Sequence, residues 1–148
     1  MGAFRQVFYH IIFSTKFRKP SIEEKHCEKL YKYIWGIITK RDCKLYRING
    51  VEDHIHIFSD LHPSVCLADL VRDIKVNSSI WIKKSGLFPD FDAWQDGYAA
   101  FTYSAKEKDL IIAYIKKQKE HHKKETSENE LIRLLNEHEI DYNPEFLF

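Results

Sequence analysis

Glycine and proline are scarce in this chain of 148 residues, with five of the first and four of the second. No internal repeat or low-complexity linker divides it, so a single domain over 1–148 is expected, long enough to bury a real core. Cysteine is sparse as well. Cys27, Cys43 and Cys66 are odd in number, scattered and without CxxC spacing. That argues against a disulfide scaffold or zinc knuckle and fits reduced thiols. Excess charge of either sign is missing: Lys and Arg total 23 against 22 for Asp and Glu, a net charge of +1. A global basic field for nucleic acid is excluded, and any such surface must be a local patch. Long hydrophobic runs are also lacking. The opening MGAFRQVFYHIIFSTKFRK is interrupted by His10 and too short for a membrane span. It carries no small-residue cleavage site, and Gly2 lacks the Ser or Thr that a myristoylation motif wants. The expectation is a soluble, cytoplasmic protein without a membrane partner.

What is present has clear periodicity. FRQVFYHIIFS (4–14) is rich in β-branched and aromatic residues and reads as a buried strand. TKFRKP breaks it. Ser21 with Glu24 predicts a capping box for a helix over about 21–42, burying Leu30, Tyr33, Ile34, Ile37 and Ile38. CKLYRING (43–50) reads as a second strand closed by an Asn49-Gly50 turn, and EDHIHIFSD (52–60) as its hairpin partner. Pro63 and Ser64 mark the start of a second helix and Gly86 its end. WQDGYAAFTYS (94–104) predicts another strand, Ser104 with Glu107 caps a long helix, and a shorter helix follows at about 127–138.

This order predicts an α+β fold. Its form is a ferredoxin-like split βαβ antiparallel sheet with helices on one face, plus the long and the C-terminal helices. The other sheet face is expected to stand open for a site or a partner. Period two sends Ile55 and Ile57 toward the helices and His54, His56 and Phe58 to the opposite face.

Histidine is not a natural strand filler. His-x-His on a strand offers two imidazoles to one metal, yet it also reads as a hydrogen-bonded or surface pair in a chain with eight histidines. Two ligands do not make a site. In YIKKQ, Tyr114 and Gln118 are four apart and share a helix face. Tyr114 equally reads as a core-edge residue beside Ile111 and Ile115, and Gln118 as a solvated one. His121 and His122 suit a helix C-terminus; a rival metal site of Gln118, His121 and His122 suffers because adjacent residues do not share a face.

Together these segments resemble the single-tyrosine HUH transposases of small insertion sequences and their REP-associated relatives. EDHIHIFSD resembles the family's His-hydrophobic-His element. YIKKQ resembles its catalytic helix, where tyrosine is the nucleophile and glutamine four residues later completes the metal site. YHIIFSTKFRKP, NSSIWIKKSG and WQDGYAAFTYS resemble other segments of the family, in the same order over nearly the whole chain. Glu52 stands where relatives often carry proline, and the stretch after Gln118 is long compared with the shortest members.

The resemblance implies a metal-dependent transposase that cleaves and rejoins single-stranded DNA through a 5′-phosphotyrosine. Tyr114 would be the nucleophile, with Mg²⁺ or Mn²⁺ held by His54, His56 and Gln118. A homodimer acting on DNA with subterminal hairpins is implied as well, with Tyr114 working in cis or in trans. An unperturbed tyrosine titrates near about 10, and no general base is visible, so metal proximity is the expected activator. Lys16, Arg18, Lys83 and Lys84 are candidate phosphate contacts, and Phe17, Trp94 and Tyr98 candidate base-stacking platforms; each also reads as a solvated lysine or a core aromatic. Two rival readings are a non-cleaving single-strand or hairpin DNA-binding protein on the same fold, and a structural zinc domain.

Overall fold

A computed structural model describes residues 4–147; Gly2 and the extreme ends of the expected 1–148 domain lie outside the described residues. The strands are β1 (Phe8–Ser14), β2 (Leu45–Val51), β3 (His54–Asp60) and β4 (Ala99–Thr102). The helices are α1 (Glu24–Lys40), α2 (Leu67–Ser85), α3 (Lys108–Lys116), α4 (Gln118–His121) and α5 (Ser127–Glu137). The four strands lie in the order β2-β3-β1-β4, every neighbouring pair antiparallel. Each βα-crossover therefore skips over one strand, which is the expected split βαβ arrangement.

Alternation along the strands decides which layer each residue serves. Ile11, Phe13, Ile55 and Ile57 pack with Leu30, Ile34, Ile38, Leu70 and Ile74 of α1 and α2. The opposite face, expected from the sequence to stand open, is covered. Phe8 and Phe58 pack on Ile115 of α3, while Ile12, Ala99 and Phe101 pack on Leu131, Leu134 and Leu135 of α5. Residues 54–59 are consequently buried throughout. The C-terminal helices of this same chain cover the face, because α5 carries its own apolar stripe and needs a surface for it.

Three local expectations shift. Ser21 is no helix cap: Glu23 precedes the first turn, and Ser21 and Ile22 donate their backbone N–H groups to the Glu52 carbonyl at 2.9 Å. That pull holds residues 21–22 on the β2–β3 turn and delays the helix. The hairpin turns at Glu52–Asp53 rather than Asn49–Gly50. Gly50 lies inside β2, where a Cβ would sit 2.3 Å from the His54 carbonyl oxygen; glycine marks a close backbone approach there. Asn49 donates from Nδ2 to the carbonyls of Ile115 and Lys116 at 3.1 Å each. Those bonds satisfy carbonyls at the end of α3, and the expected long helix breaks at Lys117 (φ −96°, ψ 17°). The capping box of Ser104 and Glu107 forms as predicted, and Gly86 closes α2 in the left-handed region at φ 70°. Among the described residues, no helix is long and apolar enough to cross a membrane.

Gly50→Ala should therefore overpack the hairpin and lower folding stability by about 1–3 kcal/mol. Urea denaturation checks this; an unchanged midpoint would contradict it.

Candidate metal and nucleophile centre

β3 supplies the first two groups. His54 and His56 point to the face covered by α3–α5 and are almost fully buried, at 2% and 0% exposure, with Nε2 atoms 3.1 Å apart. The outer nitrogens of both rings are held: His54 Nδ1 lies 2.7 Å from Asp53 Oδ1, and His56 Nδ1 lies 2.7 Å from His10 Nε2. The helix break brings in the next groups. Because the chain turns at Lys117, Gln118 points inward and is completely buried, and His122 follows just beyond α4. Spacing allowed only one of the adjacent His121 and His122 on the face of Gln118, and it is His122, four residues on, that joins it while His121 lies against Tyr114.

A carboxylate that the sequence reading did not select stands at the centre. Glu130 of α5 is 1% exposed. Its Oε1 lies 2.9 Å from His56 Nε2, 3.3 Å from His54 Nε2 and 3.2 Å from His122 Nε2. Its Oε2 accepts from Gln118 Nε2 at 3.1 Å and from the Tyr114 hydroxyl. Arg133, one turn on, donates from Nη2 to Tyr114 Oη at 2.9 Å and is anchored by Glu125 and Glu137. The His121 ring lies against Tyr114, centroids 4.8 Å apart. A sequence signal for Glu130 existed: it shares the buried stripe of α5 with Leu131, Leu134 and Leu135, and a carboxylate on such a stripe needs partners.

The charges follow from these contacts. Burial alone would raise the Glu130 carboxyl, but hydrogen bonds from His122, His54 and His56 hold it far below the usual carboxylate range. Burial opposes charge on His54, yet the Asp53 and Glu130 carboxylates outweigh it and raise the ring above its ordinary value. For His56 burial wins, bringing it down to about 4. Burial and the adjacent Glu130 carboxylate push the Tyr114 phenol well above its ordinary value, with Arg133 pulling the other way.

His54, His56, His122 and Glu130 each present a ligand atom, and these atoms lie within 4.8 Å of one another. Imidazole nitrogens with one carboxylate oxygen form a donor set that fits a divalent transition ion such as Mn²⁺, Fe²⁺ or Zn²⁺ better than Mg²⁺. Gln118, the third ligand implied by the resemblance, turns its carbonyl oxygen to His122 Nε2 at 3.1 Å and reaches the group through His122 and Glu130.

The expected DNA contacts scatter. Lys16, Phe17 and Arg18 line a cleft of about 590 Å³ together with Gln95 and Glu128. Phe17 (φ 58°) and Arg18 (φ 52°) occupy the left-handed region, and Phe17 is 90% exposed. Arg18 and His54 border a shared gap. Trp94 also borders the cleft of Lys16 and Phe17, but it is buried against Phe13 and Phe91 and donates Nε1–H to Ser78 Oγ at 2.9 Å, so its ring serves chiefly the core rather than an open base-stacking platform. Lys83 and Lys84 end α2, on the layer behind the sheet. Tyr98 is half-buried beside the groove of Ala99, Ile140 and Phe146. A second cleft, of about 540 Å³, reaches the site at His122 and carries Lys119 and Lys123.

Residues 3–118 match the sequence signature of the family described as "Transposase IS200 like". Among solved structures, the fold is similar to a candidate transposase from Deinococcus radiodurans R1, at TM-score 0.63 and 22% identity over 80% of this chain and 95% of that one. It is also similar to a REP-associated tyrosine transposase bound to a REP hairpin, at TM-score 0.60 and 15% identity over 82% of this chain and 74% of that one. No curated protein sequence matches the chain.

If the four donors bind a metal, Mn²⁺ at a hundred times its dissociation constant should stabilise the fold by about 2.7 kcal/mol. Glu130→Gln should lose most of that gain. Thermal melts with and without Mn²⁺ check both, and a melting temperature indifferent to metal would contradict the donor set.

Proposed function

This chain belongs to the IS200-like transposase family, and from that premise we propose that it is a metal-dependent enzyme cleaving and rejoining single-stranded DNA through Tyr114. One observation supports this above the others: the Tyr114 hydroxyl, the His54–His56 pair and Glu130 meet in one buried cluster of a single chain.

In this reading, Tyr114 Oη attacks the scissile phosphorus, the bond to the 3′ oxygen breaks, and the 5′ phosphate stays on the tyrosine. The departing 3′ oxygen takes up a proton, and a 3′-OH attacking the phosphotyrosine reverses the sequence and reseals the strand. The phenol proton leaves toward Glu130 Oε2, the atom it already faces. Arg133 Nη2, which donates to the same oxygen, favours the phenolate. With the phenol pushed up and the Glu130 carboxyl held down, proton transfer is uphill in the conformation described, so the centre rests with its nucleophile protonated. His54, His56, His122 and Glu130 would hold a divalent ion, which would supply positive charge to offset Glu130 and the phosphate. Mn²⁺ suits the imidazoles; Mg²⁺ is the competing cellular ion.

The strand is proposed to reach the centre through the clefts on either side. Lys16 and Arg18 meet phosphates, and the solvent-facing Phe17 ring stacks on an unpaired base. Consecutive left-handed residues are costly and tend to occur at ligand clamps, which favours a working role for that turn. Lys119 and Lys123 offer a second run of charge. A DNA hairpin is the proposed substrate, by likeness to the REP-associated transposase solved with one, and a homodimer of single-domain chains is the proposed assembly. Tyr114 meets its own chain's histidines, which favours action in cis.

Incubating the protein with a stem-loop oligonucleotide carrying single-stranded flanks and Mn²⁺ should give a covalent adduct on denaturing gels. Tyr114→Phe should abolish it while retaining binding. Binding by wild type with no adduct would overturn cleavage and leave the non-cleaving hairpin-binding reading.

A further inference from the structure

We infer that His10 is a positioning residue for the metal site: its Nε2 accepts the Nδ1–H of His56, leaving His56 Nε2 bare and aimed at the ion. The inference rests on the metal reading above. His54 has its outer nitrogen fixed by a carboxylate, 2.7 Å from Asp53. His56 has no carboxylate on that side. At the equivalent place stands another imidazole, fully buried, its Nε2 2.7 Å from His56 Nδ1 and its ring stacked on His56 at 5.0 Å.

A neutral imidazole carries one N–H. If His56 carries it on Nε2, that hydrogen points at Glu130 Oε1 and no lone pair is left for a metal. If His56 carries it on Nδ1, its partner is His10 and Nε2 is free to ligate. The second arrangement requires His10 to keep its own hydrogen on Nδ1, and that atom is buried without a hydrogen-bond partner among the described residues. Buried polar atoms are seldom left unpaired, and such an atom calls for an explanation. The pair has two arrangements that hold the same number of protons and differ only in tautomer. In one, His56 donates to Glu130; in the other, it donates to His10 and offers Nε2 to the ion. The unpaired Nδ1 is the cost of having the second available. His10 thus does for His56 what Asp53 does for His54.

Volume filling is the competing explanation, since the rings of Phe101, Tyr103 and Tyr114 surround His10 at 6.0–6.3 Å. Two substitutions separate the accounts. Phenylalanine fills the space without an acceptor, whereas glutamine offers an acceptor oxygen at similar reach. Calorimetric titration with Mn²⁺ should show His10→Phe binding roughly 10- to 100-fold more weakly than wild type, with a metal-free melting temperature unchanged or higher. His10→Gln should recover most of the affinity. Independently of any variant, a long-range ¹H–¹⁵N spectrum of the Zn²⁺-loaded wild type should place the His56 proton on Nδ1. His10→Phe binding Mn²⁺ as tightly as wild type, or a His56 proton on Nε2 in the loaded protein, would overturn the assignment. Wild type that binds neither ion would instead overturn the metal reading, and this inference with it.

Discussion

A carboxylate buried to 1% exposure cannot stand alone, and Glu130 is the group around which the C-terminal half arranges itself. Three imidazoles from two places in the chain, an amide and a phenol all turn to its two oxygens. Removing one partner would leave the others facing an uncompensated charge, so the cluster is settled as a unit. Packing agrees with it. Leu131, Leu134 and Leu135 seat α5 on Ile12, Ala99 and Phe101, and that apolar contact delivers Glu130 to the histidines. Arg133, on the same helix, meets the same phenol. Helix α5 thereby links the sheet, the proposed nucleophile and the candidate metal donors.

Much of the fold was legible in the sequence because it rests on periodicity. Ile55 and Ile57 against His54 and His56 gave the two faces of β3, and Ser104 with Glu107 gave a cap that forms. Misreadings arose where a distant backbone group competed with a local signal. Ser21 carries a good capping pattern, but Glu52 claims its N–H. Asn49-Gly50 is a good turn dipeptide, but Asn49 is spent on the carbonyls at the end of α3 and Gly50 on a close approach. No local rule contains those partners.

The site follows the same pattern. His54, His56, Tyr114 and Gln118 were legible through a resemblance carried by their neighbouring segments, and the chain brings them together. His122 entered only in a rival metal site and Glu130 was not selected, because their meeting with the β3 histidines depends on the helix break at Lys117 and on α5 folding back. Trp94 shows the converse: an aromatic next to a candidate basic turn looks like a base platform until Phe13 and Ser78 claim it. With a net charge of +1, the surface that meets DNA has to be local. The left-handed Phe17–Arg18 turn and the Lys119–Lys123 edge, the proposed DNA contacts, both border the buried centre.

In the proposed enzyme, one chain holds a divalent ion beside its own tyrosine. Anomalous diffraction at the manganese edge from crystals grown with Mn²⁺ tests it most directly. The account predicts one strong peak bounded by His54, His56, His122 and Glu130 of the same chain, next to Tyr114. No peak there, or a peak completed by ligands from another molecule, would contradict it.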